Sequence, residues 1–468
     1  MLATPVLLGA VYLAVLQSFV LLILRDTSQL IMNLILQFIV LIAFAYWSLK
    51  KSGTYLSAPF LFVLAIWFWH SSFLTGHYWG LGGDFDYTGK VFTYGYSFVP
   101  KASALVALCL CSAVLGSLSG FFQQKPIEKN ATLNDFGLGN GYAKKLAWLA
   151  FLGFVLVTVM YFVFEGMDTF DSTYMSLYTD SADSFLFRFY QSTKFYGVVV
   201  ILATFASVKT QKVFFATVAI TLGLVFINIL MGSRSVPFIY ALAVLVSIDA
   251  FFRRISFFPL ITVAIAASAA SYVIDHTREY GLGLQILDFG ATGRSIDFMN
   301  VFWNSGGVIK TVLRTMEFSL ESGMIFGKSI IDAVLYLLPR ALIDGCGLQT
   351  GFIRPSEWIV QMSSDVIPGE GMGYSLVAEV YLNFGMAGCV LFALIGWFIA
   401  KHFYSFVFYN DRFCALHAFN VAVIYSLHMR SDMATYLRAL VFGFIFIEIL
   451  RILQRKTPVR VWRGMRSH

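Results

Sequence analysis

Apolar residues fall along this chain in long, near-continuous runs separated by short polar connections. Crossing a hydrocarbon core of about 30 Å takes roughly 20 helical residues at 1.5 Å each. Twelve runs reach or approach that length: about 5–24, 29–49, 58–75, 102–122, 146–165, 190–206, 213–231, 236–252, 257–274, 374–400, 413–428 and 433–453. Barrel strands would instead alternate apolar and polar positions over about ten residues, so the pattern predicts an all-α polytopic membrane protein of about 12 transmembrane helices. The first run has neither a charged n-region nor a small-residue cleavage site, and reads as a retained helix.

Composition agrees and narrows the class. Of 468 residues, 58% are hydrophobic and only 13% charged, against about 25% charged in soluble domains. The 48 Phe, 23 Tyr and 9 Trp exclude a disordered or collagen-like chain. Cations set the orientation. With the N-terminus inside, Lys50, Lys51, Lys125, Lys129, Lys144, Lys145, Lys209, Lys212, Arg253, Arg254, Lys401 and Arg412 fall in inner connections, together with the arginines and lysine of the tail 451–466. These are more than half of the 33 Lys and Arg, whereas most acidic residues fall outside. Both termini are therefore expected in the cytoplasm. The net charge of +7 reports orientation and a tail that meets anionic lipid headgroups, not nucleic acid.

Three regions follow: spans one to nine over 1–274, a long outer loop over 275–373, and spans ten to twelve with a basic tail over 374–468. Within the loop, 308–320 and 328–343 are amphipathic and read as helices at the membrane interface. Cys109, Cys111, Cys389 and Cys414 sit in spans and only Cys346 lies outside, so no disulfide framework is expected. No metal-spaced Cys/His cluster and no phosphate-binding glycine fingerprint occurs, and neither a metal nor a cofactor is expected. Asp84 and Asp86, flanked by Gly82, Gly83 and Gly89, have the composition of a solvated turn. His70 and His417 read as packed polar residues, and Trp67, Trp69 and Trp79 as an outer aromatic belt.

Arginine recurs at the outer ends of the spans: Arg234 in the hairpin Gly232–Ser233–Arg234–Ser235, Arg278 after span nine, Arg340 in the long loop and Arg430 after span eleven. A guanidinium held near hydrocarbon costs on the order of 2.5–3.5 kcal/mol and calls for an anionic partner. Asp275 and Glu279 neighbour Arg278, and Asp432 neighbours Arg430, but no acid neighbours Arg234. Several such cations at one depth point to a dianionic ligand, since arginine forks match phosphate oxygens. A second constellation opens span ten, where Glu379 and Asn383 share a helix face and Tyr381 lies nearly opposite. A carboxylate there is protonated, paired with an arginine, or functional.

The hairpin at 232–234, the long loop and Ser375–Gly388 (SLVAEVYLNFGMAG) resemble the bacterial O-antigen polymerase, or oligosaccharide repeat-unit polymerase, family. Arg340 and Gly351 also fit that family's arginine, ten residues, glycine pattern; Arg234, Arg278 and Arg294 do not. The resemblance implies a multi-pass protein of the bacterial inner membrane. It would transfer a growing glycan from undecaprenyl diphosphate onto a lipid-linked repeat unit at the periplasmic face, alongside a chain-length regulator. It further implies that Arg234, Arg278, Arg340 and Arg430 hold the diphosphate without a metal. Glu379, or else His276, would serve as general base. Tyr280, Trp303, Trp358, Tyr374, Tyr381 and Asn383 would contact sugars. An O-antigen ligase, a lipid-linked oligosaccharide flippase and a non-enzymatic scaffold are the competing readings. Tyr374–Ser375, standing where ligases usually carry a histidine–asparagine pair, argues against the first.

Overall fold

The computed structural model describes residues 3–80, 95–124, 141–166, 184–231, 235–260, 262, 308–337, 355–362, 374–429 and 431–455. These form helices and turns, with no strand among the described residues. The α-helices are α1 (Ala3–Leu24), α2 (Thr27–Ser52), α3 (Ala58–Tyr78), α4 (Val99–Phe122), α5 (Tyr142–Tyr161), α6 (Phe185–Thr193), α7 (Gly197–Ser207), α8 (Gln211–Leu230) and α9 (Ser235–Phe251). After these come α10 (Ile309–Ser322), α11 (Lys328–Leu335), α12 (Pro355–Met362), α13 (Leu376–Phe384), α14 (Val390–Tyr409), α15 (Arg412–His428) and α16 (Met433–Arg455).

Seven stretches among the described residues are long and apolar enough to cross a membrane: α1, α2, α3, α4, α5 extended to Glu165, α8, and α13 with α14 taken together. α7 and most of α9 are apolar but shorter. The expected span 257–274 lies almost wholly outside the described residues.

Hydropathy does not register two breaks. The run 190–206 divides at a turn over 194–196, leaving the amphipathic α6 ahead of the buried α7. The run 374–400 divides after Phe384, where Gly385 takes φ +60° and a 3₁₀ turn, Gly385–Cys389, leads into α14. Gly388 is needed there because a Cβ at that position would lie 2.5 Å from the Val380 carbonyl oxygen. Of the two amphipathic segments, 308–320 matches α10; 328–343 is helical over Lys328–Leu335 and turns at Tyr336 and Leu337, with 338–343 outside the described residues.

α4 lies at the centre, packed against α1, α2, α3 and α14. It meets α14 through Gly116 and Gly120, four apart, and Gly396. A Cβ on Gly116 would stand 1.9 Å from the Ala393 carbonyl oxygen. This is the small-residue contact by which membrane helices bring their backbones together.

A buried polar seam crosses the first four helices. Asn33 of α2 donates to Ser18 of α1 at 3.2 Å. Gln37 donates to Asn33 at 2.7 Å and to Ser103 Oγ of α4 at 3.2 Å, and accepts from Ser71 of α3 at 2.5 Å. All five residues are buried. Trp67 and Trp69 also face inward rather than forming a belt, and Trp69 Nε1 donates to the Ser426 carbonyl at 2.5 Å.

Candidate active site

The C-terminal half of α3, the start of α4 and the short helices α10 to α13 meet the α15–α16 junction at one end of the bundle. α13 begins because Ser375 is an N-cap: its backbone is extended and its hydroxyl accepts from the Ala378 amide at 3.2 Å. His70 fixes that serine. Its Nδ1 lies 3.0 Å from the Ile66 carbonyl, which can only accept, so the ring proton sits on Nδ1. Nε2 then receives the Ser375 hydroxyl proton at 2.7 Å. Tyr374 is bound alongside: Thr315 donates to Thr311 at 2.7 Å, leaving its oxygen to accept from the Tyr374 hydroxyl at 3.2 Å.

One turn into α13, Glu379 is 1% exposed. Its Oε1 accepts from the Ser329 hydroxyl of α11 at 2.6 Å and its Oε2 from the Met433 amide at 2.6 Å. Met433 opens α16, so the carboxylate sits at the positive end of that helix. Asn383, on the same face, donates to Ser329 Oγ and to the Glu379 carbonyl, each at 2.7 Å. One carboxylate thus joins α11, α13 and α16. Asp432 continues the seam as the cap of α16, accepting from the Thr435 amide at 3.1 Å and from Ser356 of α12 at 2.5 Å.

Tyr381 faces the other way, as its position predicts. Its hydroxyl accepts from Lys101 Nζ of α4 at 2.6 Å, and the ammonium stands 5.0 Å from the ring centroid. Trp358 is half-buried on α12, edge-on to Phe318 of α10.

The structure therefore brings together Glu379, Asn383, Tyr374, Tyr381 and Trp358. Arg234, Arg278, Arg340, Arg430, His276, Tyr280 and Trp303 lie outside the described residues. It adds His70, Lys101, Thr315, Ser329, Asp332, Ser356 and Asp432. Of these, His70, a histidine within an apolar run, and Asp432, the acid beside Arg430, stood out in the sequence. The serines and threonines acquire their roles from helices distant in the chain. Among the described residues no three His, Cys, Asp or Glu side chains form a metal-binding group.

A hydrogen-bonded set of buried carboxylates at one end of an apolar bundle defines a membrane-embedded, polytopic protein with a polar site. The O-antigen polysaccharide polymerase Wzy family model matches residues 7–456, and the chain belongs to that family. No curated protein and no solved structure matches it.

Proposed function

We propose that the protein polymerises oligosaccharide repeat units carried on undecaprenyl diphosphate, at the periplasmic face of the inner membrane. The growing glycan is the donor and the terminal sugar of an incoming lipid-linked unit is the acceptor. Beyond family membership, the observation that carries this reading is the Glu379 junction. It ties two short helices, α11 and α13, to the N-terminus of α16 around a buried polar site.

As the glycosidic bond breaks, negative charge grows on the departing diphosphate. Fixed guanidiniums stabilise it without reorganising. Arg234, Arg278, Arg340 and Arg430 are assigned that task, and no metal is required. Trp358, Tyr280 and Trp303 are assigned to sugar stacking, and Tyr381, Tyr374 and Asn383 to shaping the sugar site. For Tyr374 the support is its bond to Thr315, which makes it a wall of the site. The acceptor hydroxyl must also lose a proton, for which the sequence nominates Glu379 and His276. A chain-length regulator is the expected protein partner.

The test is chain growth by purified protein supplied with lipid-linked repeat units. Wild type should build a ladder of products and release undecaprenyl diphosphate. Arg234→Lys keeps the charge but loses the forked donor geometry, and should cut chain growth at least about tenfold while the protein still accumulates. A wild-type protein that binds these lipids and never elongates them would reject the function; wild-type growth by Arg234→Lys would remove that residue from the site.

A further inference from the structure

α11 buries Ser329, Asp332 and Ala333 and turns Ile331 and Val334 outward. Ser329 and Asp332 are three apart, so their Cβ atoms share one face at about 5–6 Å. Ser329 is fully used, giving its proton to Glu379 and accepting from Asn383. Its two neighbours are not. Asp332 is 7% exposed, and among the described residues its Oδ2 accepts no hydrogen bond. Asn383 Oδ1 is buried and likewise accepts none. Rotating that amide would not help, because it would set an oxygen against the Glu379 carbonyl, which now receives Nδ2 at 2.7 Å.

Buried acceptors without a donor are rare in native proteins. Two of them flanking one serine call for a ligand rich in hydroxyl donors, and a sugar is such a ligand. Glu379 is the opposite case, since each of its oxygens already holds a donor from the protein.

We infer that Asp332 is the catalytic group that receives the proton of the attacking acceptor hydroxyl, while Asn383 Oδ1 accepts a neighbouring hydroxyl of the same sugar. This rests on the polymerase reading above, and it leaves Glu379 as the positioning carboxylate that holds Ser329 between the two. In the step, the acceptor O–H bond breaks and its proton passes to Asp332 Oδ2. The freed oxygen forms a bond to the anomeric carbon of the donor. The bond from that carbon to the diphosphate oxygen breaks, and its electron pair leaves on undecaprenyl diphosphate. The surroundings suit a base. Burial raises the Asp332 carboxyl above its ordinary value, with Lys328 on the same helix opposing the shift, and a base is most effective when its pKa approaches the working pH. The elements packed against α11 also carry Glu379 on α13, Asp432 at the head of α16, and Arg438, Glu448, Arg451 and Arg455 along α16; of these, Arg438 donates to the Tyr336 carbonyl at 2.7 Å.

Wild type, Asp332→Asn and Asp332→Glu, purified with lipid-linked repeat unit, decide the matter when binding and chain growth are read on the same sample. Asp332→Asn should bind the lipid within a few-fold of wild type and elongate it at least about 10²-fold more slowly, with the rise of rate with pH abolished. Asp332→Glu should recover part of the growth with a displaced pH midpoint. Growth within about threefold of wild type by Asp332→Asn overturns the inference; the threshold lies far below a general base's usual contribution. If that variant fails to accumulate, an unchanged pH midpoint in Asp332→Glu overturns it. Failure of wild type to elongate rejects the function underneath, whereas failures confined to the variants' expected behaviour reject the assignment of Asp332 alone.

Discussion

The Met433 amide lies 2.6 Å from Oε2 of Glu379, so the carboxylate of one short helix closes the N-terminus of another. Glu379→Gln places a donor where the protein now has an acceptor, facing either the Met433 amide or the Ser329 hydroxyl. A buried unmatched polar group costs about 1–3 kcal/mol. The variant should unfold at a lower temperature and accumulate less, as read by thermal denaturation in detergent. An unchanged melting temperature would show that the junction is not structural.

The His70–Ser375 pair predicts energetic coupling. Ser375→Ala removes both the α13 cap and the partner of Nε2, whereas His70→Ala leaves the cap in place. Losing a cap costs about 1 kcal/mol. The double mutant should therefore be less destabilised than the sum of the singles, with a coupling of about 0.5–3 kcal/mol. Strict additivity in unfolding measurements would mean that the two residues do not act through each other.

Gly116 has no room for a side chain, because its Cβ would meet the Ala393 carbonyl oxygen of α14 at 1.9 Å. Gly116→Ala should force α4 and α14 apart at a cost of about 1–3 kcal/mol or more, and Gly116→Leu should abolish accumulation. Gly153, with nothing near its Cβ position, is the control, and Gly153→Ala should be close to neutral.

Asp332 gives the pH dependence of stability a sign. Burial lifts its carboxyl in the folded chain above the unfolded value. Its contribution to stability is therefore complete below the unfolded pKa of about 3.9 and is lost as pH rises through the higher folded value. Asp332→Asn should flatten that part of the melting-temperature profile and raise stability near neutrality. A steeper profile in the variant would contradict the assignment of cause.

Topology is accessible to labelling. If the loop 275–373 is periplasmic, a membrane-impermeant thiol reagent applied from that side to unfolded-loop samples should reach Cys346 and spare the buried Cys109 and Cys111. A reporter fused at residue 330 that works only in the cytoplasm would overturn the orientation.

The membrane class, the apolar helices and α10 were legible because they rest on local periodicity and length. Glu379, Asn383 and Tyr381 were legible for a related reason: polar groups in an apolar helix carry a cost that marks them, and 3.6-residue geometry assigns their faces. The break at Gly385 was not, because average hydropathy is blind to a single residue at φ +60°. Nor were the roles of Ser329 and Asp332, on a short helix that reads as an ordinary amphipathic segment. They matter because α11 meets α13 and α16, helices that begin some 45 to 105 positions further along the chain.

The seam through Ser18, Asn33, Gln37, Ser71 and Ser103 bears on how the protein is made. Ser18 is satisfied within α1 by the Ala14 carbonyl, but α2 must leave the translocon carrying an amide that is satisfied only once later helices have arrived, with Gln37 waiting for Ser71 and then for Ser103. In lipid the unsatisfied amide has no water to turn to. The four helices should therefore become stable together, as one unit of biogenesis. A nascent chain released after Tyr78 should be cleared rapidly by membrane quality control, whereas one released after Phe122 should persist. Equal lifetimes for the two truncations in a pulse-chase experiment would show that the seam forms without setting that order.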